Sequence, residues 1–334
     1  MDEVVTEYWR SGRGRQAICP IGWVNRFLGW GGASGEQVMD EIAQLGYAAS
    51  ENSAVYPQDA EQLRGELERR GLMLSAAYRW VNFAYPERLE EELAAAKRHV
   101  EFCARAGAHV VNLAEAGHSV WDARGPVERV TPFGHEQWRR VAAAFEEVGA
   151  YALSVGVTLA VHPHGGTAIE TPGEILTLLE LTDPNLVGLC LDTGHVAYGG
   201  GDVAGFARQV AQRVVYVHLK DVRGEVLRDL TSGAGGASGQ GGLSALGVGF
   251  ETAVRAHLFC PPGQGQLDLP GVLDALLAAG YDGWFVVEAE QDPELHDPFE
   301  AGRSAHAFVG AALSAARNRA TSSSAHEHVG YSGT

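Results

Sequence analysis

Short apolar runs alternate with longer stretches of helical spacing along almost the whole chain. The runs are "AICPIGW" (17–23), "GYAASE" (46–51), "LMLSAAY" (72–78), "AHVVNLAE" (108–115), "VTLAVHP" (157–163), "LVGLCLD" (186–192), "VVYVHLK" (214–220) and "GWFVVEAE" (283–290). Apolar runs of this length read as buried strands. The segments between them read as helices. "SGEQVMDEIAQLG" opens on Ser34, a good N-cap, and ends at Gly46. "PERLEEELAAAKRHVEFCARAG" closes at Gly107. "TPGEILTLLELT" places Glu174 three residues after Thr171, a capping-box pattern, with Pro172 in its first turn.

Strands that are apolar throughout, each followed by a helix, predict a parallel sheet covered on both faces. Eight such units predict a single-domain (β/α)₈ barrel over residues 17–319. An open, doubly wound sheet is the competing architecture, but no G-x-G-x-x-G follows the first strand. Residues 1–16 form an N-terminal extension. The Gly/Ser-rich "TSGAGGASGQGGLSALGVG" (231–249) is expected to be a mobile loop insertion after the seventh strand, and 320–334 a disordered tail.

Composition narrows the function. Lys+Arg number 25 and Asp+Glu 42, for a formal net charge of −17, which disfavours nucleic acid and anionic membranes as partners. No apolar run approaches the ~18 residues of a membrane span. The N-terminus lacks the apolar centre of a signal peptide. The four cysteines, Cys19, Cys103, Cys190 and Cys260, are widely separated. They suggest neither a zinc ribbon nor a disulfide framework, so a reducing, cytoplasmic setting is expected. Self-association is left open, and a small molecule is the expected partner.

Candidate chemistry gathers where the strands end, which in a parallel barrel is the active face. The fourth strand ends in Glu115, the fifth in His162 and His164, the sixth in Asp192 and His195, the seventh in His218 and Lys220, the eighth in Glu288 and Glu290. Unpaired carboxylates there would carry a desolvation cost of several kcal/mol and would repel one another. A divalent cation removes both penalties. Two imidazoles and two carboxylates suit Mn²⁺ or Co²⁺ first, with Mg²⁺, Fe²⁺ and Zn²⁺ as alternatives. A salt-bridge cluster around Lys220 and Arg223 is the competing explanation. Strand alternation puts His162 and His164 on one side, and likewise Glu288 and Glu290, and His218 and Lys220. The earlier member of each pair is expected beside the metal and the later one near a substrate.

The stretches "LCLDTGH", "YVHLKDVRGEVL", "GYDGWFVVEAEQDP", "PIGWVN" and "HPHGGTAIET" resemble the inosose dehydratases of myo-inositol catabolism, within the xylose-isomerase-like barrel superfamily. The resemblance runs from about residue 18 to about 315. It implies a metal held by an acid, Asp192, His218 and Glu288. His162 stands at the acid's position, and Glu115 is a second candidate for it. It also implies loss of water from a cyclic polyhydroxy ketone such as 2-keto-myo-inositol (scyllo-inosose). His164 is the expected base, with His195 or Lys220 assisting departure of the hydroxyl. Trp23, Asn25, Glu51 and Glu290 are expected around the substrate. Three loops depart from the pattern: "WVNRF", "CPPGQGQLD" with Gln264 at an acidic position, and the Gly/Ser insertion. The alternatives are a metal-dependent isomerase or epimerase on a free keto sugar, and a sugar-binding barrel without catalysis.

Overall fold

The computed structural model describes residues 16–119, 130–233 and 242–327. Its strands are β1 (Gln16–Ile18), β2 (Ala49–Ser50), β3 (Met73–Leu74), β4 (Ala77–Val81), β5 (Val110–Glu115), β6 (Thr158–Val161), β7 (Gly188–Asp192), β8 (Val214–Leu219), β9 (Asp221–Val222), β10 (Phe259–Cys260) and β11 (Phe285–Val287). Nine of them form one parallel sheet in the order β3-β2-β1-β11-β8-β7-β6-β5-β4. β3 and β4 are two halves of the third expected strand, broken at Ser75–Ala76. The lower half pairs with β2 and the upper half with β5, so one stretch of chain joins both ends of the sheet. Backbone bonds from Ser75 N to Ser50 O and from Asn52 N to Ala76 O carry the pairing across the break. The result is a barrel of eight strand positions, as the alternation predicts. The third strand is divided because a barrel staggers its register, and one strand meets its two neighbours at different heights.

Helices follow the strands as their end signals require. Ser34 accepts from Gln37 N at the start of Gly35–Gln44. Thr171 and Glu174 form the reciprocal capping box of Pro172–Glu180. The outer faces of the strands and the inner faces of the helices share one large apolar core. A second cluster plugs the barrel itself: Ala17, Ala49, Ala160, Cys190, Tyr216 and Val286 are all buried within it. Two residues further up the same faces, at the next pleat, come His162, Asp192, His218 and Glu288. The period that buries the plug therefore also fixes where the polar ring stands.

The expected extension and the two Gly/Ser-rich segments meet the described chain only in part. Residues 1–15 lie outside it, and Gln16 already belongs to β1. Of 231–249, residues 234–241 lie outside. The start of the stretch completes the helix Gly224–Gly233, and Leu243–Leu246 forms a 3₁₀ turn with Leu243 buried. The last helix runs Pro298–Glu327, well into the expected tail, and 328–334 lie outside. The excursion after β8 is closed by a short antiparallel pair, β9 with β10.

Candidate active site

Four buried side chains meet at the barrel mouth: His162, Asp192, His218 and Glu288. One donor atom from each lies within 4.8 Å of all the others. His162 Nε2 is 3.5 Å from Asp192 Oδ2, and His218 Nδ1 is 3.4 Å from the same oxygen. His218 Nδ1 is 2.5 Å from Glu288 Oε2. Asp192 uses its other oxygen to cap the helix Thr193–Tyr198, accepting from His195 N at 2.9 Å.

Both ring nitrogens of His162 and Oδ2 of Asp192 are buried without a hydrogen-bond partner, and His218 Nδ1 meets only carboxylate oxygens. Such atoms are costly to leave unmet, at about 1–3 kcal/mol each. A divalent cation would satisfy the inward-facing atoms together, and the mixed nitrogen and oxygen donors suit one. The residues present therefore fit a metal. His218 is also oriented from behind. Its Nε2 is 3.0 Å from Glu51 Oε1, so a proton on Nε2 leaves the Nδ1 lone pair facing the cluster.

Lys220 accompanies the cluster and is fully buried. Its Nζ lies 2.8 Å from Glu288 Oε1, 3.4 Å from Glu290 Oε2 and 3.8 Å from Asp192 Oδ2. Burial works against its charge, but Glu288, Asp192 and Glu290 hold its pKa well above the ordinary lysine value. Burial likewise works to raise Glu288, yet Lys220 and His218 bring it down to about 2. The salt-bridge cluster weighed against a metal is thus present in part, through Lys220. Arg223 takes no part in it and donates to the carbonyls of His257 and Phe259.

Above the cluster lies a cavity of about 320 Å³. His162, His164, His218, Glu288 and Glu290 line it, with Asn25, Glu51, Tyr78, Trp80 and Phe250. His164 Nδ1 is 2.8 Å from Gly165 O, which leaves Nε2 as the ring's acceptor. Burial, helped by His162 and Lys220, holds the ring neutral, with its pKa pushed down to about 3. Tyr78 packs edge-on against His162, and Trp80 against His164.

Comparison with known proteins gives this geometry its context. Residues 39–308 match the xylose isomerase-like TIM barrel family. An inosose dehydratase of Geobacillus kaustophilus is 35% identical over 300 residues, covering 88% of this chain and 93% of that one. One from Lacticaseibacillus casei is 33% identical, covering 89% and 96%. The chain belongs to the inosose dehydratase family. It is accordingly an enzyme of the hydro-lyase class. Solved structures share the fold at lower identity. An L-ribulose 3-epimerase superposes with a TM-score of 0.67 at 19% identity, covering 96% of this chain and 99% of that one. The IOLI protein with a bound zinc atom gives 0.66 at 17%, covering 90% and 98%. Among the described residues no helix is long and apolar enough to cross a membrane.

Four expected site residues stand off the cavity wall in this family member. His195 lies off the cavity wall. Its ring packs 3.9 Å from that of His164, between centroids, and its Nδ1 accepts from Gly165 N. The helix that Asp192 caps turns it away from the mouth. Lys220 is also off the wall, drawn down onto Glu288. Glu115 faces the backbone instead, accepting from Phe83 N, Ala84 N and Gly117 N. Trp23 is buried in the core and donates to Glu41 Oε2 at 2.6 Å, pinning the helix Gly35–Gln44. Glu51 does reach the cavity, but its carboxylate is engaged with His218. Asn25 and Glu290 stand at the cavity wall and hold each other, Nδ2 to Oε1 at 2.9 Å.

Sequence reasoning missed Tyr78, Trp80 and Phe250. The two-residue spacing of Tyr78 and Trp80 is the signal that marks them, but the apolar run itself stops at Tyr78. Phe250 follows the Gly/Ser stretch and carries no periodic signal. Glycines make room around it: a Cβ on Gly165 would come within 2.6 Å of Phe250. One on Gly194 would meet the Lys220 stem at 2.5 Å, which accounts for the glycine of "LDTGH".

Proposed function

We propose that the protein removes water from a cyclic polyhydroxy ketone, 2-keto-myo-inositol, with one divalent cation, Mn²⁺ or Co²⁺, held by His162, Asp192, His218 and Glu288. The observation that carries this reading is the convergence of four buried donor residues, with His162 and Asp192 Oδ2 left without hydrogen-bond partners, directly beneath a substrate-sized cavity. A cation there supplies Lewis-acid polarisation of the ketone and stabilises the charge that develops on its oxygen.

The chain's own residues do the proton work. Three imidazoles line the cavity, and two belong to the donor cluster, so His164 remains as the base. Its neutral ring takes the proton from the carbon next to the carbonyl on Nε2. The same proton then passes to the hydroxyl on the adjoining carbon, which leaves as water. Glu290 and Asn25 bind substrate hydroxyls, fixed by their mutual hydrogen bond and by Lys220. Tyr78, Trp80 and Phe250 provide the apolar wall that limits water around the reacting carbons. Membership of a dehydratase family supports elimination over isomerisation.

The test is to incubate metal-reconstituted protein with a panel of inososes and free keto sugars, following ultraviolet absorbance and product mass. Loss of 18 mass units, ~18 being one water, from scyllo-inosose supports the proposal. Interconversion of keto sugars without such loss replaces it with an isomerase on the same site.

A further inference from the structure

The outer face of a barrel strand ordinarily packs under a helix through apolar side chains. β4 departs from this. Its Tyr78 and Trp80 point inward, against His162 and His164, so Arg79 between them occupies the outer face. The helix Leu89–Arg105 packs on this strand, with His99 Nε2 donating to Ala77 O at 3.1 Å. A crevice of about 620 Å³ opens there, lined among others by Gln58, Arg79, Arg98 and His99, and shared at its inner end with the active cavity through Asn52 and Tyr78.

Two independent features of this crevice call for a ligand. The first is charge. In a chain with 42 acidic and 25 basic residues, the arginines nearby in sequence are paired: Arg64 with Glu68, Arg70 with Asp40, Arg88 with Glu92, Arg105 with Glu61. Arg79 and Arg98 have no carboxylate within 4.0 Å among the described residues. His99 adds no charge near neutral pH, because burial pushes its ring down to about 4. The second is unmet hydrogen bonding. Arg79 Nε and Asn52 Oδ1, on two of the residues that line it, are buried without a partner. A guanidinium presents paired donors that match an oxyanion, whereas Asn52 Oδ1 is an acceptor and calls for a hydroxyl.

We propose that the crevice binds a small hydroxylated oxyanion, a sugar phosphate or sugar acid, with Arg79 and Arg98 on its anionic group and Asn52 on a hydroxyl. The site is distinct from the donor cluster and does not depend on the dehydratase reading. Because Asn52 and Tyr78 also line the active cavity, its occupant would sit beside the substrate.

Isothermal titration of the full chain with glucose 6-phosphate, gluconate and, as a neutral control, sorbitol tests this. The titrations are run on metal-loaded and on chelated protein. Glucose 6-phosphate or gluconate should bind with the same affinity in both preparations, and sorbitol should not bind. Whichever of the two binds tells phosphate from carboxylate. R79Q and R98Q should each weaken binding at least ~10-fold, the usual scale for losing a guanidinium–oxyanion pair. Arg98 is exposed, so R98Q reports on binding even if R79Q fails to fold. The proposal is overturned if neither anion binds, if R98Q binds like the wild type, or if binding disappears on chelation, which would place the probe at the metal cluster. It is also overturned if no anion binds and R98Q dissociates an oligomer in sedimentation, since the crevice would then be a contact between copies of this chain.

Discussion

Asp192 divides its two oxygens between two tasks. Oδ1 caps a helix, and Oδ2 is left facing His162 and His218. Such division of labour fixes a side chain more firmly than burial alone, and it recurs at His218, held by Glu51 on one nitrogen and aimed at the cluster with the other. Glu51→Gln should therefore weaken metal binding by about 10- to 100-fold, the range for loss of an orienting partner behind a histidine ligand. Metal titration with a competing chelator would detect it; an unchanged affinity would make Glu51 a substrate contact only. His164→Ala should leave metal content as in the wild type, while turnover falls about 10²–10⁴-fold, the contribution of a positioned base. Near-normal dehydration by this variant would exclude His164. Glu115 gives the opposite pattern. Three backbone N–H groups lose their acceptor in Glu115→Ala, so urea unfolding should show a loss of about 1–3 kcal/mol with metal content unaltered. Loss of metal instead would return Glu115 to the ligand set.

At the scale of elements, the strands were legible and the loops were not. Period-two alternation places His162, Asp192, His218 and Glu288 one pleat above the plug residues, so the positions of these four side chains could be read from the sequence, while the choice between His162 and Glu115 could not. The rings and carboxylates that miss the cavity do so because of local turns. His195 is carried round by the helix Thr193–Tyr198 that Asp192 caps, and Trp23 by the 3₁₀ turn Pro20–Gly22. Neither turn leaves a periodic mark in the sequence. The loop after β6 shows a further dependence. Glu170 accepts from Gly166 N at 2.6 Å and from Ser244 Oγ at 2.7 Å, joining the "HPHGG" loop to the latter part of the Gly/Ser-rich stretch. Burial pushes its carboxyl up to about 7. Below the unfolded value, near 4.5, both states hold the proton. Between there and about 7 the folded state keeps a proton that the unfolded chain has released, so this group makes stability fall as pH rises. Glu170→Gln should flatten that fall, by as much as about 3 kcal/mol over the window. Unfolding free energies at pH 5 and 8 measure the slope; an equal slope in wild type and variant would show that Glu170 ionises freely.

At the scale of the whole molecule, the barrel's stability and its chemistry are housed on different layers. The apolar layer between strands and helices is one continuous cluster. The polar ring stands at one end, above a small plug of alanines, Cys190 and Tyr216. This separation explains why eight strand–helix units could be read from hydrophobic pattern alone, while Lys220 could not be placed. Its position is set by Glu288 and Glu290 from a strand 70 residues away in sequence, a contact no local pattern encodes. The same separation predicts how the protein responds to losing its cation. Removal leaves Asp192 Oδ2 and the inward imidazole nitrogens unmet, but Lys220 still neutralises Glu288, and no core residue is disturbed. The chelated protein should therefore stay folded, with unchanged far-ultraviolet circular dichroism, and melt at a lower temperature. Restoring the cation should raise stability logarithmically with its free concentration, by about 2.7 kcal/mol at a hundred times the dissociation constant. Calorimetric melting over a series of Mn²⁺ concentrations measures this. A melting temperature independent of Mn²⁺, Co²⁺ and Zn²⁺ alike would mean that the cluster is held by Lys220 alone, and that the donor set binds no cation tightly.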